Sequence, residues 1–196
     1  MKRSLPVLLA ACLVSGVASS AWATTYTVDK DHSTVGFSVR HLFSNVKGTF
    51  DDFQGTFVYA PGKPEEWSAS GTVNTQSINT HQEKRDKHLR SKDFFEVETY
   101  PTLTFTSTKI TTTGPTSAKM EGLLSIHGVE KPVIFDLDIH GEGKDPWGNT
   151  RSGVTATTRI NRKDFGLTWN QTLESGGVLV GDDVEIILDI EGVSKS

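Results

Sequence analysis

Over its last third the chain alternates apolar and polar residues with few faults. In the stretch DDVEIILDIEG, Val184, Ile186, Leu188 and Ile190 fall on one side, and Glu185, Asp189 and Glu191 on the other. A period of two matches the pleat of an extended strand, so the pattern requires strands with one dry and one wet face. The same rhythm appears in KPVIFDLDIHG, where Val133, Phe135, Leu137 and Ile139 alternate with Asp136, Asp138 and His140. In STVGFSVRH it puts Val35, Phe37, Val39 and His41 on one face. FQGTFVYA, WSASGTVNT, YPTLTFTSTKI, SAKMEGLLSIHG and RSGVTATTRIN bring the expected strands to about eight. Gly, Pro and Asn turns separate them and no long helix intervenes, which predicts an all-β antiparallel sandwich or barrel. Closure into a barrel removes the unpaired edges that invite aggregation.

How the inner face is filled decides what such a fold can do. Ten phenylalanines carry much of the apolar bulk. Phe37, Phe50, Phe53, Phe57, Phe94, Phe95, Phe105 and Phe165 are spread along the whole chain. Bulky rings opposite Gly, Thr and Ala either fill a core or line a tunnel for a long apolar ligand, and periodicity does not separate the two.

The first residues read as a secretory leader. Lys2 and Arg3 precede the apolar run Leu5 to Val17, and Ala21-Trp22-Ala23 places small residues where signal peptidase cuts. The apolar run is too short for a membrane span. Leu9-Ala10-Ala11-Cys12 resembles a lipobox, but cleavage there would leave an apolar core below the usual length, so cleavage after Ala23 is expected. The domain then runs over residues 24–196 as a single unit, in the periplasm. Without Cys12 no cysteine is left, and the fold must stand without a disulfide. Lys2 and Arg3 depart with the leader, so 24 acidic side chains outnumber the remaining basic ones and nucleic acid is excluded as a partner.

Two features interrupt the strands. In HQEKRDKHLRSKDFF, residues Glu83 to Lys92 favour a helix, with Glu83 and Lys87, and Asp86 and Arg90, as opposite charges four apart and Asn79-Thr80 as the cap. Leu89 alone is apolar, so the helix lacks a buried stripe and is anchored at its end by Phe94 and Phe95. Arg85, His88 and Leu89 share one side of its wheel. The second feature is NRKDFGLTWN, where Lys163 to Gly166 reads as a turn or short helical bend.

Motifs for chemistry are missing. The sequence contains no Gly-x-Ser-x-Gly elbow, no His-Glu-x-x-His and no phosphate loop before a helix. The six histidines, His32, His41, His81, His88, His127 and His140, match no compact metal site on one element. His127 and His140 read as solvated residues at strand ends, whereas His41 falls in phase with an apolar face, which suits a barrel mouth.

Four stretches together resemble one known family. They are DKDHSTVGFSVRHLFSNVKGTFDDFQGTF, TQSINTHQEKRDKHLRSKDFFEVETYPTLTFTST, LSIHGVEKPV and RINRKDFGLTWN. They are similar to the YceI-like family of bacterial polyisoprenoid-binding proteins from about Tyr26 to Gly192. Arg85-Asp86-x-His88-Leu89-Arg90-Ser91, followed by Phe94-Phe95 and Tyr100-Pro101, is the most specific part. The resemblance implies a lipocalin-like, eight-stranded antiparallel barrel that holds a long-chain isoprenoid amphiphile, with no catalytic residue, no metal and no cofactor. It implies an apolar lining drawn from Phe37, Phe57, Leu89, Phe94, Phe95, Phe105, Phe165 and Trp169. Polar contacts would cluster at the mouth, from Arg85, His88 and His41. Against this stands a purely structural role, in which Arg85 and Arg90 pin the helix through Asp86, Asp93 or Glu96. The expected function is carriage or storage of an isoprenoid lipid or quinone as a monomer or homodimer, with transient membrane contact. The alternative is broader sequestration of long-chain amides, fatty acids or hydrophobic toxins; a hydrolase of lipid intermediates lacks a nucleophile.

Overall fold

The computed structural model describes residues 23–174 and 176–194. The expected leader, apart from Ala23, and Cys12 with its lipobox lie outside them. Eleven strand segments pair into one antiparallel sheet. They are β1 (Thr24–Val28), β2 (Thr34–His41), β3 (Ser44–Phe50), β4 (Phe53–Tyr59), β5 (Ser68–Asn74) and β6 (Ile78–Asn79). After the helix α1 (Glu83–Arg90) come β7 (Thr102–Thr112), β8 (Ser117–Ile126), β9 (Val129–Lys144), β10 (Thr150–Asn161) and β11 (Val180–Ser194).

The eleven segments amount to eight strands of a closed barrel. β1 and β2 both run antiparallel to β11, on either side of a short helical turn at Lys30–His32. β3 pairs with β2 and β4 with β1, with Asp51 and Asp52 between them. β5 pairs with β4 and β6 with β3, across the turn at Thr75–Ser77. β1 with β2, β3 with β4 and β5 with β6 thus each form one bent strand, and β7 to β11 complete the ring in chain order. Sequence periodicity finds one segment of every barrel strand and misses β1, β3 and β6. In β3 the inward positions are Val46, Gly48 and Phe50, so a glycine breaks the apolar count.

Closure is tightest where β11 meets β2 and narrowest where it meets β1. Only Thr27 with Val193 and Val28 with Gly192 are in register at the latter seam. Irregularities at Ser107/Lys109, Gly153/Val154 and Val180/Val184 bend the long strands around the curve.

Up-and-down connectivity sorts the loops to two ends. One end carries the β2–β3 turn, α1 with residues 91–101, the His127-Gly128 turn and the long connection 162–179. The other carries the chain start, residues 60–67, 113–116 and 145–149. Two apolar clusters fill only part of the interior. Phe50, Ile78, Leu103, Leu124, Ile126, Phe165 and Leu167 pack beneath α1, and Ala118, Met120, Phe135, Leu137 and Ala156 pack against the β8–β10 wall.

Candidate functional site

The barrel walls differ in how completely their inward faces are covered. On β8 the inward Ala118, Met120, Leu124 and Ile126 are buried. On β11 the inward Val184, Ile186, Leu188 and Ile190 are half-exposed, although they point away from solvent. Inward side chains that keep accessible surface face a space within the barrel. That space is a cavity of about 560 Å³, within the roughly 300 to 1,000 Å³ of small-molecule sites.

Glycines keep it open. Phe37 on β2 lies over Gly48 on β3, so close that a Cβ there would come within 2.5 Å of the ring. Phe105 covers Gly122 in the same manner, and Phe57 covers Gly192, with Tyr26 stacked on Phe57 at 5.0 Å. A ring lying flat on a neighbouring glycine covers that bare strand and leaves the lumen free. The sequence left core and tunnel unresolved; the fold contains both, since Phe50, Phe53 and Phe135 are almost wholly covered by packing yet border the cavity, and Phe37, Phe57, Phe95 and Phe105 are half-exposed around it.

Of the predicted site residues, Phe37, His41, Phe57, Arg85, His88, Leu89, Phe94, Phe95, Phe105 and Trp169 all line this cavity. Phe165 does not. It is 2% exposed and packs into the cluster beneath α1, because the short helical turn Arg162–Phe165 ends at Gly166, in the left-handed conformation, and turns the ring into the wall.

The helix is held differently from the sequence expectation. Gln82, two residues beyond Thr80, is the cap, accepting from Arg85 N–H at 2.6 Å. Among the described residues, neither arginine of α1 pairs with an acid, and neither expected four-apart pair forms an ion bridge. Arg90 donates to the carbonyls of Gln76 and Ile78 at 2.8 and 2.7 Å, tying α1 to β6. Arg85 donates from Nε to Thr80 Oγ1 at 2.7 Å and from Nη2 to Thr80 O at 2.9 Å. Its Nη1 has no hydrogen-bond partner among the described residues. The buried Asp86 accepts from Thr80 N at 2.9 Å and from its hydroxyl, so it locks the chain ahead of the helix.

His88 bonds Asp93 through Nε2 at 2.8 Å. Its ring meets Phe94 and Trp169 edge-on, at 5.1 and 4.8 Å. Trp169 belongs to the connection 162–179, so this aromatic trio joins α1 to the far side of the mouth. His41 lines the cavity at the same end, opposite Val180.

Arg162 is among the cavity residues that escaped the sequence. It is 3% exposed and donates to the carbonyls of Leu167, Trp169 and Gly181, which fixes the connection against the start of β11. Burial pulls its guanidinium below the ordinary value, with Asp182 acting in the opposite sense. A basic residue in NRKDF reads as surface, and no periodic signal marks it as inward. His127 also departs from expectation: its side chain is only 18% exposed, packs on Tyr100, and leaves a buried Nε2 unbonded 3.8 Å from Glu96.

Asp29, His32 and Glu191 lie close enough to share a cation. Arg151 already occupies that place, donating to Asp29 Oδ2 at 2.7 Å, to Glu191 Oε1 and to Asp145 Oδ2 at 2.9 Å. Its guanidinium beside Asp29 holds that carboxyl down at about 2.

A closed eight-stranded antiparallel barrel, hollow inside and crossed at one end by a polar helix, defines the class: a lipocalin-like barrel with an internal cavity. The chain belongs to the YceI-like family, whose domain model matches residues 26–192. It is 41% identical to a UPF0312 protein of Ectopseudomonas mendocina over the full length of both chains. Among solved structures, the Campylobacter jejuni YCEI protein is 32% identical, with a TM-score of 0.70 over 80% of this chain and 90% of that one. Burkholderia cenocepacia BcnA shares the fold at 22% identity, with a TM-score of 0.75 over 84% of this chain and 98% of that one. A polyisoprenoid binding domain from Saccharophagus degradans shares it at 17% identity, with a TM-score of 0.63 over 88% and 99%.

Proposed function

We propose that this protein binds a long-chain isoprenoid amphiphile, the tail in the barrel and the head at the mouth beneath α1. One observation carries the proposal: the inward aliphatics of β11 stay accessible around an apolar lumen, while Arg85 and His41 border that lumen at the α1 end. Apolar burial of about twenty carbons at roughly 0.8 kcal/mol each gives on the order of 16 kcal/mol gross. Ordering the tail and losing translation offset much of this, so affinity falls between micromolar and nanomolar. The relative from Saccharophagus degradans that is named for polyisoprenoid binding supports the ligand class.

The role is binding rather than turnover. Ser152, a hydroxyl on the cavity wall, donates to the carbonyl of Gly141, and among the described residues it has no hydrogen bond to a side-chain base. Export to the periplasm, with the leader removed after Ala23, belongs to the same proposal and rests on the leader sequence. A broader ligand range, including fatty acids, long-chain amides and hydrophobic toxins, is the second reading, favoured by a lining that is almost wholly apolar and so selects weakly.

Native mass spectrometry of the protein purified from its own cells, followed by lipid extraction, decides between them. A retained polyprenyl or quinone species is the expected result, and a mixture of unrelated amphiphiles supports the broader range. Recovery without any amphiphile, together with no uptake of added polyprenols, would sink both.

A further inference from the structure

The β2–β3 hairpin ends on two residues that turn chemistry disfavours and the fold leaves uncovered. Leu42 and Phe43 lie between the paired His41 and Ser44. Leu42 has φ 48°, a left-handed conformation that two-residue hairpins ordinarily give to Gly or Asn. Phe43 is 92% exposed. Neither residue is needed to make the turn, and neither adds to the core.

Their surroundings give them a direction. Leu42 N–H donates to Leu179 O at 3.1 Å, which brings the exposed Val178 alongside the tip. His41, Leu179 and Val180, the immediate neighbours, line the cavity. An apolar strip therefore runs from the tip over the rim into the lumen. Arg40 and Lys47 flank it on the two strands, exposed and without an ion pair among the described residues. Single exposed apolar side chains are ordinary on protein surfaces; a strained apolar tip at a cavity mouth, bracketed by cations, is not.

We propose that this hairpin docks on a lipid bilayer bearing anionic head groups, with Phe43 and Leu42 among the acyl chains and Arg40 and Lys47 at the phosphates. A two-residue tip offers far less than the roughly 800 Å² per partner of a stable protein interface, which disfavours a second copy as its occupant. Its use to the protein rests on the isoprenoid function above: a long tail passes from acyl layer to lumen along the strip without crossing water.

Flotation with vesicles of phosphatidylethanolamine and phosphatidylglycerol tests the proposal. The unmodified protein should float, and Phe43→Ser should lower its partition on the order of tenfold. Leu42→Gly, which suits the turn better, should weaken partition while leaving the melting temperature unchanged or raised. Phe43→Trp should show a blue-shifted emission on adding the vesicles. Equal flotation of Phe43→Ser and the unmodified protein overturns the docking, as does a dimer that depends on Phe43 and ignores vesicles. Equal partition into pure phosphatidylcholine vesicles overturns the requirement for anionic head groups. Polyprenyl phosphate presented in detergent should load both proteins alike; failure of both to load overturns the isoprenoid function, while flotation still decides the docking.

Discussion

At the scale of single residues, the cavity depends on side chains that are absent. A Cβ on Gly48 would meet side chains first, the Phe37 ring and Thr80 Cγ2, so Gly48→Ala should push the ring into the lumen. Stability should fall by about 1 to 3 kcal/mol, and competition among polyprenols should show a preference for shorter tails. Gly122→Ala should lose more, because there the obstacle includes the backbone carbonyl of Thr106 at 2.6 Å. Unchanged length preference in Gly48→Ala would remove the link between ring and lumen. The mouth yields a second prediction. Arg85 leaves Nη1 without a hydrogen-bond partner among the described residues, so on the proposed function Arg85→Gln with His88→Gln should weaken binding of an anionic isoprenoid by roughly ten- to a hundredfold relative to the neutral alcohol of equal length. Both single bonds to Thr80 are lost for either ligand, so the ratio of affinities isolates the head group. A ratio that stays fixed would reduce the pair to a strut.

Among elements, α1 and the β1–β11 seam are secured by side chains at the barrel's two ends rather than by a long ladder. α1 buries no apolar stripe, and the bond from Thr80 to the buried Asp86 ties it down. Asp86→Ala leaves a buried donor unmatched, at a cost of about 1 to 3 kcal/mol. Hydrogen exchange followed by mass spectrometry should then quicken over residues 80–90 while β8 and β9 stay protected. At the opposite end, Arg151 joins β10 to Asp29 beyond β1, to Glu191 on β11 and to Asp145 in the β9–β10 turn. This spans the seam where β1 and β11 pair least. Asp29 is lowered from 3.8 to about 2, first by Arg151, and Asp145 to about 2, first by Asn149 and then by Arg151. A carboxyl lowered by folding adds stability above its unfolded value and loses it as pH falls through the folded one. The urea midpoint should therefore hold at neutral pH and drop between about 3.8 and about 2. Arg151→Met should lower the neutral midpoint and flatten that acid decline, with Asn149 preserving part of it for Asp145. An acid decline as steep as before would assign the shift elsewhere.

For the whole molecule, binding and stability are one equilibrium. A ligand that fills the lumen of the folded barrel and has no site on the unfolded chain must stabilise it. A polyprenol at a hundredfold excess over its dissociation constant should add about 2.7 kcal/mol. For a domain of this size that raises the melting temperature by roughly 5 to 10 °C. A soluble head group alone, such as inorganic pyrophosphate, should give little, because the tail supplies most of the burial. Equal shifts from head group and full lipid would place binding outside the barrel.

Alternation and turn residues are local signals that survive in one dimension, so the sequence determined one segment of each of the eight barrel strands and an all-β antiparallel fold; the closed barrel, rather than a sandwich, followed from the family resemblance. The sequence also determined the helix between β6 and β7 and the bend before Gly166. What only tertiary structure decided was which inward faces are packed and which are hollow. Val184 to Ile190 and Met120 to Ile126 read alike as strands and both border the cavity, yet the first keep accessible surface while Met120, Leu124 and Ile126 are almost wholly covered by packing. That difference arises from strands far apart in the chain, where Gly48, Gly122 and Gly192 let rings lie down on their neighbours. The partners of Arg85, Arg90 and Arg162 were hidden for the same reason. Their acceptors are mostly backbone carbonyls, which every residue carries and no composition reveals.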